Sequence, residues 1–256
     1  DLANVSTRAT AVEGGWLING QKVWTSYAQF ADWGVCLART DPDAPKHRGI
    51  SYLVVDMSDP GVEVRPLVQI TGEAEFNEVY FTDAFVPTDH LVGPLHDGWR
   101  VANSTLSHER GTNPRQLVIH IQLLEELLRL AVENGAIDDV RLQQRLAQAY
   151  VEVRLFQLHN LRSITRLAKG LDPGPEGSAL KLYWSEMSKR LHDTAMAVLG
   201  AAAPLWRDAE ANPGGGEWQR SWLYYQASSV WAGTNEIQRT ILGERRPVPR
   251  SRRSAG

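Results

Sequence analysis

The sequence predicts an α+β fold in two parts, an antiparallel β-barrel or sandwich followed by an up-down four-helix bundle. Up to about residue 95, short β-rich runs are separated by Gly, Pro, Asn and Asp turn signals, and no helical period intervenes. From residue 98 onward, apolar residues recur three and four positions apart, the period of an amphipathic helix. A chain of 256 residues, 43% of them hydrophobic, can bury a core in each part.

The first part contains β-rich runs separated by turn signals. The pair Asn19 and Gly20 is a strong signal for a two-residue hairpin turn, so we expect antiparallel hairpins here. Regular short strands without intervening helices predict the barrel or sandwich over residues 1–95. The runs lie at residues 5–12, 16–18, 21–25, 33–39, 50–56, 62–67 and 78–81.

The second part is predicted to be helical throughout. Helical patterns cover residues 98–132, 138–169 and 178–199, and a shorter one starts at Ser221. Pro114 interrupts the first pattern, which predicts a kink or a restart of the helix. Long helices joined by short Gly and Pro loops predict the bundle over residues 96–245, and the Arg-, Pro- and Ser-rich residues 246–256 predict a loose tail.

Composition narrows the function classes. The formal net charge of −3 gives no general attraction for nucleic acid, and no stretch of about 18 apolar residues predicts a membrane span. The single cysteine, Cys36, is predicted to be a core residue, and its isolation fits a reducing, cytoplasmic setting. The histidines lack metal-ligand spacing, so we expect no metal. Because the chain starts at Asp1 in an apparent strand, we expect a fragment of a longer protein.

Two stretches carry candidate chemistry. Trp24, Thr25 and Ser26 place an aromatic plane beside two hydroxyls, which suits a flat heteroaromatic ring, although a half-buried strand tryptophan is the plainer interpretation. Near the end of the chain, residues 232–234 (AGT) precede a helix whose first turn carries Glu236. A threonine cap leaves backbone N–H groups free for something polar, although an ordinary helix N-terminus gives the same pattern.

These stretches belong to a longer series of short motifs in a fixed order. The series is NGQKVWTS at 19–26, ARTDP at 38–42, GI at 49–50, VP at 86–87, GWRVA at 98–102 and GTNEIQR at 233–239. In this order the motifs resemble the acyl-CoA dehydrogenases, specifically the middle β domain and the C-terminal helical domain of that family. The resemblance also implies that the family's N-terminal helical domain is missing from this chain.

The resemblance implies FAD-dependent α,β-desaturation of an acyl-CoA substrate in lipid β-oxidation. A carboxylate removes an α-proton, a hydride passes from the β-carbon to the flavin, and an acceptor like electron-transfer flavoprotein takes the electrons. It also implies a homo- or heterotetramer. The positions matching flavin-binding positions of the family are Trp24, Thr25, Ser26, Gly233, Thr234 and Glu236.

The expected catalytic base is a first departure from the family. Many members carry a Glu just before the Gly-Thr of the last loop, where this chain has Ala232; only its backbone N–H could bind the thioester carbonyl. A smaller set, resembling the isovaleryl and long-chain enzymes, has its base on the first helix of the C-terminal domain. Glu109 is therefore the candidate base, and Ser107 and Arg110 are candidate substrate-binding residues. The alternative is that Glu109 only forms an ion pair with Arg110 or Arg115.

Other positions bear on the cofactor and on the acyl chain. The family's Arg-x-x-Phe-Gly segment, which reaches a neighbour's FAD diphosphate, is replaced by residues 133–139 with Asp138 and Asp139, and its Gly-Gly-x-Gly by residues 199–203 (LGAAA). We therefore expect a heteromer with a different subunit. The small Ser104 and Gly111 near Glu109 suggest room for a branched or ring-bearing acyl chain. A non-catalytic partner subunit, or an oxidase or flavin monooxygenase of the same fold, remains an alternative.

Overall fold

The computed structural model describes residues 2–109, 114–171, 176–207, 209 and 212–245. The chain divides into two compact units, Asp1–Glu109 and Arg110–Gly256. We refer to them as the β unit and the helical unit. The predicted tail at residues 246–256 lies outside the described residues.

The β unit is built on one six-stranded sheet in the order β4-β3-β1-β2-β6-β5. All neighbouring strands pair antiparallel, as predicted, except β1 and β3, which pair in parallel through Arg8 and Arg39. One helix, α1 (Gly98–Glu109), completes the unit and packs against β4. The strands are β1 (Arg8–Val12), β2 (Gly15–Ser26), β3 (Trp33–Arg39), β4 (Ile50–Asp56), β5 (Val62–Leu67) and β6 (Phe76–Pro87).

The predicted hairpin turn at Asn19 and Gly20 is wrong. Strand β2 runs through both residues, and its pairing with β6 shifts register between Ile18 and Gly20. A β-bulge and a hairpin both favour glycine, and here the long partner β6 continues past the bulge. Gly20 has φ 143°, and a Cβ atom there would lie 2.8 Å from the Cα of Thr7. The actual β1–β2 turn uses Glu13 and Gly14.

The core of the β unit lies on one face of the sheet and contains the buried Ile18, Leu53, Val79 and Cys36. The predicted core position of Cys36 is therefore confirmed. Lys22 also lies on this face, opposite Val79. Its Nζ donates to the Leu37 carbonyl at 2.7 Å, and burial lowers the pKa of Lys22. The short β1 pairs with β3 only at Arg39, so the Lys22 ammonium takes the place of a strand partner for the Leu37 carbonyl.

The helical unit confirms the predicted series of long helices. Pro114 is the first residue of α2, where its missing N–H costs no helical hydrogen bond. The last two helices begin at Glu217 and Asn235, and α4 contacts α2, α3, α5 and α6. No helix among the described residues is long and apolar enough to cross a membrane. The helices are α2 (Pro114–Glu133), α3 (Val140–Ala168), α4 (Glu176–Leu199), α5 (Glu217–Gln226) and α6 (Asn235–Arg245).

Two fully buried histidines lie in the core of the helical unit. His120 Nδ1 donates to the Gln116 carbonyl at 2.7 Å, and its Nε2 lies 2.7 Å from the hydroxyl of Ser188. His192 Nδ1 donates to the Ser188 carbonyl at 2.7 Å, and its ring stacks on Tyr225 at 4.5 Å. Burial lowers the pKa of each histidine to about 4. Both are therefore neutral in the folded protein at neutral pH.

We predict that acid destabilises the helical unit between pH 6.5 and pH 4. In this range the histidines of the unfolded chain bind protons, whereas the buried histidines of the folded chain stay neutral. The free energy of unfolding is therefore highest above pH 6.5 and decreases as the pH falls toward 4. A shift from 6.5 to about 4 corresponds to a loss of up to about 3 kcal/mol per histidine. Urea unfolding of the full-length protein, followed by circular dichroism at several pH values, measures this loss.

His192→Gln should flatten the pH dependence of the unfolding free energy. The matched control is His159→Gln, because His159 is exposed on α3 and lies outside the buried core. Equal slopes for wild type and both variants would contradict the assignment.

Candidate functional site

Trp24 projects from a second bulge in β2. Pairing with β6 shifts between Lys22 and Thr25, and Trp24 within this shift has a left-handed backbone with φ 61°. Its side chain is 63% exposed, and its ring meets the edge of Phe76 at 6.0 Å. A bulge redirects a side chain, and left-handed non-glycine residues cluster at functional sites. The structure therefore presents a flat aromatic surface to solvent rather than the half-buried strand tryptophan of the plainer interpretation.

Thr25 and Ser26 follow Trp24 at the end of β2. Asn77 donates to the Thr25 carbonyl at 3.2 Å and fixes the backbone there. Among the described residues, neither hydroxyl has a hydrogen-bond partner. Both residues also line a cavity of ≈ 250 Å³ together with Lys22 and Cys36. The structure thus keeps Trp24, Thr25 and Ser26 together at one end of the sheet, with free hydroxyl groups.

Residues 232–234 form the second candidate site, a turn between α5 and α6. Ala232 and Gly233 both have left-handed backbones, with φ 52° and 84°. The side-chain Nε2 of Gln238 donates to their carbonyl oxygens, at 3.2 Å and 3.4 Å. Within the described part of the chain, the backbone N–H groups of Ala232, Gly233 and Thr234 have no hydrogen-bond partner. Successive free N–H groups of this kind form a concave donor site for an oxygen or an anion.

Thr234 caps α6 as predicted. Its Oγ1 accepts a hydrogen bond from the backbone N–H of Ile237 at 3.3 Å. Glu236 is exposed, and its carboxylate bonds to its own backbone N–H and to the Thr234 hydroxyl, which lowers its pKa. Arg239 lies 3.6 Å from the same carboxylate. Glu236 is thus engaged locally, and its role as a cofactor-binding residue stays a prediction.

Asn235, the first residue of α6, was not identified by the sequence analysis. It is buried, and its Nδ2 donates to Glu186 Oε1 at 2.7 Å. Its Oδ1 accepts from Lys181 Nζ at 2.9 Å and lies 3.0 Å from Ser185 Oγ. These three partners are on α4, so they tie the start of α6 to the central helix. The sequence signal was available only as a polar residue after Gly-Thr, a position that usually faces solvent.

The residue before the turn is held by aromatic packing. The Trp231 ring stacks on Trp184 at 6.4 Å with an interplanar angle of 23°, and it meets Tyr224 at 4.7 Å. On the same side, Ser228 Oγ donates to the Ser185 carbonyl at 3.1 Å. The turn is therefore anchored on α4 both before and after residues 232–234.

The candidate base lies at the end of α1. Glu109 is the last residue of this helix, and Ser107 lies one half-turn before it. The side chains of both, and all of Arg110 and Gly111, lie outside the described residues. Their expected roles as base and as substrate-binding groups stay predictions.

The two segments that depart from the family's cofactor-binding pattern are neighbours. Asn134, after α2, donates through Nδ2 to the Val198 carbonyl at 2.8 Å, and Val198 immediately precedes the LGAAA segment. Asp139 caps α3 by accepting from the Arg141 backbone N–H at 2.8 Å. Its side chain pairs with Arg141, which lowers the pKa of Asp139 and keeps it ionised. This corner of the helical unit therefore carries a carboxylate with a structural role.

The residues present fit FAD better than they fit a metal. Among the described residues, no three His, Cys, Asp or Glu side chains converge in a way that could hold a metal ion. By contrast, an exposed tryptophan ring with two free hydroxyls matches a flat ring that bears hydrogen-bonding groups. The free N–H groups at residues 232–234 match oxygens of a thioester or of a flavin.

Comparison with known proteins assigns both parts of the chain to one family. Residues 1–84 match the acyl-CoA dehydrogenase middle domain, and residues 96–246 match the acyl-CoA dehydrogenase C-terminal domain. The acyl-CoA dehydrogenase IpdE1 of Mycobacterium tuberculosis is 42% identical over 246 residues, which cover 96% of this chain and 62% of that protein. The chain thus spans about three fifths of the length of this relative.

Solved structures give the same assignment. The steroid acyl-CoA dehydrogenase Tcur3481-Tcur3483 is 27% identical with a TM-score of 0.88, over 96% of this chain and 65% of that chain. The ChsE4-ChsE5 complex of Mycobacterium tuberculosis is 30% identical with a TM-score of 0.83, over 96% and 64%. The chain therefore belongs to the acyl-CoA dehydrogenase family, whose members use FAD, and it contains the middle and C-terminal domains of that family.

Proposed function

We propose that the protein containing this chain is an FAD-dependent dehydrogenase that desaturates an acyl-CoA thioester between its α and β carbons. The observation that carries this proposal is the turn at residues 232–234, with its three free N–H groups. A thioester carbonyl that accepts from the Ala232 N–H becomes more polarised, which acidifies its α-carbon. This role needs only the backbone, so it survives the presence of alanine at the position.

The β unit carries the residues proposed to bind the ring of the cofactor. The exposed ring of Trp24 would lie against the isoalloxazine, and the hydroxyls of Thr25 and Ser26 would bond to its polar edge. Gly233 and Thr234 would hold flavin oxygens through their backbone N–H groups. FAD supplies the two-electron acceptor for the hydride, which no side chain can replace. An acceptor of the electron-transfer flavoprotein type would then reoxidise it.

Glu109 is the proposed base for the α-proton. Its position at the end of α1 matches the first-helix base that the resemblance implies, and no carboxylate is present at residue 232. Removing an α-proton needs a carboxylate close to the α-carbon, and its loss lowers the rate of that step by about 10²- to 10⁴-fold. The alternative function is a non-catalytic subunit that completes another chain's site.

We predict that Glu109→Gln abolishes the bleaching of bound flavin by acyl-CoA while FAD binding is retained. The amide keeps the size of the side chain but cannot accept the proton. Stopped-flow absorbance at the flavin band of the full-length protein, tested against a panel of acyl-CoA thioesters, measures the rate. The control is Glu125→Gln on α2, which should bleach like the wild type. Equal bleaching by Glu109→Gln and the wild type would remove Glu109 from the mechanism, and a wild type that no thioester bleaches would favour the non-catalytic alternative.

The proposed substrate class is an acyl-CoA with a bulky, ring-bearing acyl group. The structure of similar fold described as a steroid acyl-CoA dehydrogenase supports this class. The sequence of α1 agrees with it, since Ser104 and Ser107 before Glu109 are small residue types. The thioester panel should therefore include steroid-ring, branched and straight-chain acyl groups, and bleaching by straight chains alone would contradict this choice.

We also propose that this subunit functions in a heteromer with a different subunit of the same fold. Asp139 places a structural carboxylate in the segment where the family carries an arginine for a neighbour's diphosphate. Two structures of similar fold are described by paired names, Tcur3481-Tcur3483 and ChsE4-ChsE5. Helix α3 carries apolar residues on its exposed face that suit burial in an assembly, namely Val151, Leu155, Leu158 and Leu161.

We predict that the full-length protein purified alone binds less than one FAD per subunit. Each subunit would offer its neighbour a segment without the arginine, so the diphosphate would lose a cationic partner and bind more weakly. Flavin absorbance per protein, combined with light scattering for mass, gives occupancy and assembly state together. A yellow homotetramer with one FAD per subunit would contradict the heteromer.

A further inference from the structure

We propose that Gln238 is a positioning residue for catalysis, because it sets the direction of the backbone N–H groups of Gly233 and Thr234. This inference rests on the proposed function, in which those N–H groups hold flavin oxygens and the Ala232 N–H binds the thioester. Gln238 touches neither the flavin nor the thioester in this role; it acts through the turn.

The backbone at residues 232 and 233 needs an external restraint. A left-handed conformation costs a non-glycine residue roughly 1–3 kcal/mol and persists only where the surroundings impose it. Ala232 adopts it with φ 52°, followed by Gly233 with φ 84°. Glycine adopts this conformation without steric cost, whereas alanine does not, so it is Ala232 that needs the restraint. The restraint must therefore come from groups that bond to the turn.

The amide of Gln238 supplies this restraint. Its side chain is fully buried, and Nε2 donates to the carbonyl oxygens of both Ala232 and Gly233. The amide orientation is unambiguous, because two acceptors face one end and only the NH₂ group can donate to them. Since a peptide group is planar, carbonyls that point inward force the following N–H groups outward. The Ala232 carbonyl fixes the Gly233 N–H in this way, and the Gly233 carbonyl fixes the Thr234 N–H.

Close packing leaves the Gln238 amide, which clamps the two carbonyls of the turn, little freedom to move. A Cβ atom on Gly233 would lie 2.7 Å from Gln238 Nε2, so the amide lies directly beneath the turn. Gln238 itself is held by α6, which Asn235 ties to Lys181, Ser185 and Glu186 on α4. Contacts with α4 thus fix the position of α6, and Gln238 on α6 fixes the direction of the N–H groups in the turn.

The test compares Gln238→Met and Gln238→Glu in the full-length protein. Methionine preserves much of the side-chain volume but donates no hydrogen bond, so the rate of flavin bleaching should fall about 10- to 100-fold at every pH. A buried glutamic acid can donate to the Ala232 carbonyl only while it is protonated. Gln238→Glu should therefore bleach at nearly the wild-type rate at low pH and lose rate as the pH rises. A loss of rate at pH values where Gln238→Glu keeps its circular dichroism spectrum distinguishes this role from a purely structural one.

A second readout is the absorbance band of the bound flavin. Hydrogen bonds to the flavin carbonyl oxygens shift this band, so Gln238→Met should lose that shift. The matched control is Gln219→Met, because Gln219 is also a buried glutamine, donating to the Ala202 carbonyl at 3.1 Å and to Asn212 Oδ1 at 3.2 Å. It lies in α5, so it should cost stability without changing the band or the rate.

The outcomes separate this inference from the proposed function. If the wild type is bleached by no thioester, the proposed function fails. If the wild type is bleached and Gln238→Met bleaches equally with an unchanged band, the positioning role is overturned. If Gln238→Met fails to fold, the pH profile of Gln238→Glu decides, and a profile parallel to the wild type overturns the inference.

Discussion

The left-handed backbone at Ala232 and Gly233 is the constraint on which the candidate site of the helical unit depends. The buried amide of Gln238 holds the carbonyls of Ala232 and Gly233, and this directs the N–H groups of Gly233 and Thr234 away from it. The free-energy cost of this conformation is met by packing elsewhere, chiefly on α4. Helix α4 contacts every other long helix of its unit. The turn at residues 232–234 is anchored to α4 and is therefore held by the core of the helical unit.

The β unit uses the same physical device with different chemistry. Trp24 also has a left-handed backbone, imposed by a bulge between β2 and its long partner β6. In both units a strained residue directs a functional group outward, an indole ring in one and backbone donors in the other. Strain of this kind is retained where the surrounding structure fixes it, which is typical of binding sites.

Replacement of the usual acid by alanine changes what residue 232 can do. A side-chain carboxylate there would serve as the base, whereas Ala232 offers only its N–H. Under the proposed function, carbonyl polarisation would stay at the turn and proton abstraction would fall to Glu109. The neighbouring departures at residues 133–139 and 199–203 meet through the hydrogen bond from Asn134 to Val198, so they change a single corner of the fold. In the proposed heteromer, one altered contact with the partner subunit would account for both departures.

Sequence patterns alone determined much of this protein. Periodicity separated the β part from the helical part, Pro114 marked the start of a helix, Thr234 was correctly predicted as a cap, and the ordered motifs identified the family. These features are local or depend on residue types at fixed spacing. Tertiary structure decided the rest: the bulge at Gly20 where a hairpin was expected, the outward ring of Trp24, the ties from Asn235 to α4 and the clamp of Gln238. Each of these features depends on a partner supplied by a different strand, helix or turn. Single-residue preferences favour a turn at Gly20, a buried ring at Trp24 and solvated side chains at Asn235 and Gln238 instead.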